Sequence, residues 1–181
     1  MKTFSAVILL SIITLTAKAQ VHLIKQSSIV KLDDGRLYYT AKSYIKQIDS
    51  LDKVLVKSPN DTTALMLRSF FYLKAGDLLA NPYAADKIFI DRLLTGKRMI
   101  EKALSLKLID LKAKIIAAEL CNQLSYRYGG YNSDLSWKYD SKTLAKYAAF
   151  QKRYKEEAIE FYKELAVLDK NSAWEYQKKM N

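Results

Sequence analysis

One stretch, Pro59 to Asp77, constrains the fold more than any other. It opens with Pro59 and the capping-type residues Asn60 and Asp61. Proline's φ is already helical, and a short oxygen-bearing side chain satisfies an otherwise unpaired N–H of the first turn. Good helix formers follow, and Gly76 stands where a left-handed C-terminal residue is wanted. Leu65, Leu67, Phe71 and Tyr72 fall broadly on one side, with the small Ser69 beside them. The stretch predicts a short buried helix with a crowded contact face, ending at Gly76.

A helix of this kind needs others to pack against. With only five Gly and two Pro in 181 residues, the chain has too few turn residues for a β-rich fold. Tyr44, Ile48, Leu51 and Leu55 recur at three- and four-residue spacing and predict a helix over about Leu37–Val56, after the Asp33-Asp34-Gly35 turn signal. Lys57-Ser58-Pro59 ends it, and the short connection makes the next helix antiparallel. Asn81-Pro82-Tyr83 then interrupts, and a helix follows from about Ala84 to Leu106 with Ile88, Leu93, Met99 and Ile100 inward. Gly96 in its middle costs about 1 kcal/mol relative to Ala. Leu111–Tyr128 carries the ladder Ile116, Leu120, Leu124, Tyr128 and ends at Gly129-Gly130. A long helix is expected over Ser141–Asp169, and a short terminal one over Ser172–Met180 packs through Trp174. Residues 20–34 read as an N-terminal arm or a short helix, and residues 35–181 as one α-helical domain.

Several of these segments resemble a known repeat. Ala64-Leu65, Arg68-Ser69, Tyr72-Leu73-Lys74 and Ala75-Gly76-Asp77 are similar to the first helix of a tetratricopeptide repeat and the turn that closes it. Pro59 sits where that family places the proline ending the previous repeat. Asp52-Lys53-Val54-Leu55, Lys102-Ala103-Leu104 and the run from Glu156 to Asp169 look like second-helix endings. These endings, at Val54, Ala103 and Leu165, are 49 and 62 residues apart, whereas the family period is about 34. The resemblance therefore implies a short, degenerate, all-α solenoid of antiparallel helix pairs, interrupted by insertions, that works by binding a protein or peptide.

The first segment stands apart from that domain. Lys2, the apolar run Val7–Leu15 and then Ala17-Lys18-Ala19 have the layout of a secretory signal peptide, with cleavage expected after Ala19. The run is too short to span a bilayer comfortably, which takes about 20 residues, and this with the small residues opposes the rival reading of an uncleaved N-terminal anchor. No cysteine stands at the cleavage point, so a lipoprotein is not expected. The expected product is exported to the periplasm or beyond and does not span the membrane. Its formal charge falls from +11 to +9 when Lys2 and Lys18 leave, since residues 1–19 hold no acid. Such a balance suits anionic surfaces, acidic proteins and anionic polysaccharides. Export leaves nucleic acid out of the expected partners. Cys121 is the sole cysteine, so there is no internal disulfide, and its apolar neighbours Ile116, Leu120 and Leu124 read it as a small buried residue, an intermolecular disulfide being the alternative.

No recognisable chemistry accompanies this framework. His22, the one histidine, lies near a chain end without a second ligand or a nucleophile to serve, and no HExxH, CxxC or phosphate-binding glycine loop is present. Neither a cofactor nor a metal site is expected, and the chain reads as a non-enzyme. The speculative contact residues for a partner are Arg68 and Tyr72 on the repeat-like helix, and Arg127, Tyr131 and Trp137 in the aromatic-rich segment 126–139. Aromatics with arginine are typical anchors of protein interfaces. The same segment offers an alternative, an envelope polysaccharide-binding or hydrolysing protein, because exposed rings also stack on sugars. Equally, these rings fit between the last two long helices as core.

Overall fold

The apolar periodicities do form helices, and consecutive helices bury their faces against one another. The computed structural model describes residues 21–33, 41–79, 87–130 and 136–181. Its helices are α1 (Ala41–Lys57), α2 (Thr62–Leu79), α3 (Lys87–Ser105), α4 (Leu111–Gly130), α5 (Ser141–Leu168) and α6 (Ala173–Lys179). Each packs on its successor, and α2 also touches α4, so the fold is all-α, with one small hairpin among the described residues. The antiparallel run brings the α1–α2, α3–α4 and α5–α6 connections to a common edge. Lys102 near the end of α3 reaches the Pro59 carbonyl at 2.6 Å, and Lys114 at the start of α4 pairs with Glu164 at the end of α5.

Local chemistry explains the ends. Asp61 Oδ1 accepts the Ala64 N–H at 2.9 Å and Asp140 Oδ1 accepts the Thr143 N–H at 2.7 Å, each an N-cap of the kind worth about 1 kcal/mol. Helix α4 is the centre of the core: Ile116, Leu120, Cys121 and Leu124 are all 0 % exposed. Gly96 has a packing reason, since a Cβ there would lie 3.2 Å from Tyr72 Cβ and 3.3 Å from Leu120 Cδ2. The missing side chain is what lets α3 approach α2 and α4 closely.

The structure departs from the sequence reading in several places. Residues 23–32 are neither a loose arm nor a helix. They form an antiparallel hairpin, β1 (Leu23–Gln26) with β2 (Ile29–Leu32), in the register Leu23 opposite Leu32 and Gln26 opposite Ile29. Its two-residue turn is Ser27-Ser28, with Ser27 at φ 51°, so the positive-φ position is filled without the usual Asn or Gly. Helix α2 continues through Gly76 to Leu79, because one glycine costs a helix only about 1 kcal/mol, which its neighbours outweigh. In α3 Leu93 and Ile100 are buried as expected, but at its start Phe89 and Ile90 face inward and Ile88 is exposed. In α6 Tyr176 is buried and Trp174 faces out, since the Tyr176 hydroxyl finds Asp169 at 3.0 Å. The expected signal peptide, the start of the first helix before Ala41, and Asn81-Pro82-Tyr83 lie outside the described residues.

Candidate binding surfaces

The hairpin lies across the side shared by α2, α4 and α6. Leu23, Val30 and Leu32 point inward and are buried, each worth roughly 1.5–3 kcal/mol when fully withdrawn from water. Ile29 and Val30 meet Phe70 and Leu73 of α2 and Ile115 and Ile116 of α4 around a crevice of about 70 Å³. The far side of the hairpin is held by charge. Lys25 pairs with Asp169 at 2.8 Å, and the Ser28 N–H donates to Glu175 Oε2 at 3.1 Å. Burial pushes the Asp169 carboxyl up, but Lys25, Tyr176 and Ser172 outweigh it and hold its pKa below the ordinary value. The Ser28 hydrogen bond does the same for Glu175.

On another side, α1, α2 and α3 leave an open groove of about 450 Å³. Its floor is Leu55, Leu65 and Met99, with Val56 and Pro59 at one end and Asp52, Arg68 and Lys102 supplying charge. Arg68 is a half-buried member of this groove. Its guanidinium pairs with Asp52, sits 5.3 Å from the Tyr72 ring centre and lies 3.4 Å from the Tyr72 hydroxyl. Arg68 and Tyr72 are thus brought together, one turn apart, on a face that the hairpin does not cover.

The aromatic-rich segment divides. Tyr128 is buried in a ring cluster, stacked on Tyr154 at 5.8 Å and tilted on Phe150 at 5.0 Å, while Tyr139 meets Tyr147 edge-on. Burial, with the neighbouring tyrosines, pushes the Tyr128 hydroxyl up to about 12. These rings fill the space between α4 and α5, as the core reading expected. Arg127 is also buried, its guanidinium 4.5 Å from the Phe89 ring centre. Trp137, by contrast, is 78 % exposed, with the Lys138 ammonium 5.0 Å from its ring centre. Tyr131 lies outside the described residues. Arg68 and Tyr72 therefore form one location, Arg127 a second and Trp137 a third.

A polar cluster that the sequence reading missed sits between α3, α4 and α5. Lys97 is 7 % exposed and pairs with Glu101 and, at 2.8 Å, with Glu157. Glu157 also takes Arg153 at 2.8 Å and the Cys121 thiol at 3.7 Å. Burial lowers the Lys97 pKa, but the two carboxylates outweigh it and raise it; Glu157 is correspondingly lowered, against its own burial, by Lys97 and Arg153. Burial pushes the Cys121 thiol up to about 12, so it is neither an active nucleophile nor, at 0 % exposure, open to an intermolecular disulfide. Spacing alone hides this cluster, because its members lie on different helices. Among the described residues no group of three or more His, Cys, Asp or Glu is placed to hold a metal ion.

Comparison with known proteins finds no matching family model, no similar curated protein and no similar solved structure. The repeat resemblance rests on the residues quoted for it.

Proposed function

We propose that the chain is an exported, non-enzymatic scaffold that binds a protein or peptide partner in the α1–α2–α3 groove. The observation that carries this reading is the groove itself, an open apolar floor flanked by Arg68, Lys102 and Asp52. The α2–α4–α6 side, the natural rival, is taken by the chain's own hairpin. A half-buried apolar floor with a charged rim suits a peptide carrying apolar anchors and acidic flanks. The mechanism is binding without turnover.

The test uses the chain from Gln20 as bait in native envelope extract, at low and moderate salt. A single co-purifying protein that survives moderate salt, and is lost with Met99→Glu, supports the reading; Met99 lines the groove and is only half-buried, so the fold tolerates the change. Recovery of many acidic proteins that disappear as salt rises would sink it. The exposure of Trp137 keeps one alternative in play, an envelope polysaccharide ligand at the loop before α5. Under that alternative, Tyr131→Ala with Trp137→Ala abolishes polysaccharide retention while Met99→Glu leaves it intact.

A further inference from the structure

We propose that the edge bearing the α1–α2, α3–α4 and α5–α6 connections is a peripheral docking surface for an anionic lipid bilayer. The three connections share this edge by topology, as the Lys102–Pro59 and Lys114–Glu164 contacts fix. At or beside each connection, large apolar side chains stand in water: Val56 at 82 %, Ile109 at 97 % and Val167 at 73 % exposed. Leu106, Leu168 and Trp174 accompany them, at 40 %, 56 % and 56 %. An exposed Trp beside such tips has the amphipathic shape favoured at headgroup level.

The charges on this edge are sorted in a way that favours one occupant. Its acids are engaged: Asp61 and Asp110 accept helix-start N–H groups, Asp169 holds Lys25 and Tyr176, and Glu164 pairs with Lys114. Its exposed lysines Lys57, Lys107 and Lys170 make no side-chain hydrogen bond or ion pair with any described residue. The outward field of the edge is therefore positive, interleaved with single apolar tips, the pattern that combines insertion with attraction to anionic headgroups. A protein interface of the usual kind has a contiguous apolar centre instead.

Lys107 supplies an independent observation. It closes α3 with its N–H on the Leu104 carbonyl and the next N–H, of Leu108, on the Ala103 carbonyl, and its φ is 64°. Glycine is the residue this position ordinarily takes, because a side chain there is strained. The chain instead keeps a lysine at the tip, two residues before the most exposed apolar side chain of the molecule's described part. Stability alone does not account for that choice; an outward cation at a membrane-facing tip does.

The test is co-sedimentation of the chain from Gln20, which holds every described residue, with phosphatidylcholine vesicles and with vesicles of phosphatidylcholine and phosphatidylglycerol in equal parts. Binding is expected to the anionic vesicles only, and to weaken as salt rises. Lys107→Gly should weaken it about fivefold while melting no lower than the parent, since glycine relieves the left-handed strain. Ile109→Ser, at a side chain almost wholly in water, should weaken it roughly tenfold. Neither Lys107 nor Ile109 lines the α1–α2–α3 groove, so both edge variants should leave salt-resistant partner capture by the groove unchanged, which separates the two surfaces. Absence of binding to anionic vesicles at low salt overturns the proposal, as does parental binding by both edge variants. So does capture of an acidic protein that depends on Lys107 and Ile109 when vesicles capture nothing.

Discussion

At the residue scale the most informative position is Lys97. An ammonium 7 % exposed in a helical core is tolerable only because Glu101 and Glu157 both reach it and Arg153 completes the balance on Glu157. Each carboxylate alone offers partial compensation, so the energetics are non-additive. Glu157→Ala should cost about 2 kcal/mol, as a charge-assisted hydrogen bond is lost while Glu101 remains. Adding Glu101→Ala leaves the cation without a carboxylate and should bring the total to about 3–5 kcal/mol. Urea unfolding of both single variants and the double reads the coupling directly; strict additivity would mean that water solvates Lys97 adequately. Arg68, the residue singled out for partner binding, has the milder version of this arrangement. Its pairing to Asp52 leaves it at a groove wall, where a partner carboxylate can compete for the guanidinium.

At the scale of elements, the hairpin is the feature with the most to predict. Asp169 and Glu175 both titrate below their ordinary values when it is docked. Their contribution is therefore complete above about pH 5 and fades as pH falls through the ordinary carboxylate range near 4 and below. Amide exchange over residues 23–32, corrected for intrinsic rate, should accelerate on acidification before that of α4 does. Lys25→Ala should produce the same selective loss at neutral pH. Uniform protection across hairpin and helices in that variant would show that apolar burial alone seats it. The helices α1 to α5 were legible in the sequence because their apolar ladders repeat over many turns, and Ile116, Leu120, Leu124 and Tyr128 are buried as read. The hairpin was not, because its turn is Ser27-Ser28 and its strands are four residues each, too short for alternation to stand out. Trp174, expected to pack α6, faces out and Tyr176 is buried in its place, because only the tyrosine has a hydroxyl that Asp169 satisfies. Of the speculative contact residues, Arg68 with Tyr72 was readable from helical spacing; the separation of Arg127 from Trp137 depends on which rings close the α4–α5 gap, and that is decided by packing.

For the whole molecule, cohesion comes from helix packing without covalent cross-links. Cys121 is free and 0 % exposed. The melting temperature should be the same with and without reductant, and an alkylating reagent should modify Cys121 only in denaturant. Modification of the native chain would show that α4 and α5 separate. The hairpin also joins the two ends of the fold, since Ser28 and Glu175 are 147 residues apart in sequence. A chain made from its N-terminus delivers the hairpin before α6, which holds it. Residues 23–32 have no partner in α6 until residues 173–179 have been made. Their closure thus waits on α6: a nascent molecule, or one clipped before Ala173, holds these strands by their apolar face alone and opens them to proteases, while α6 in place clasps their turn.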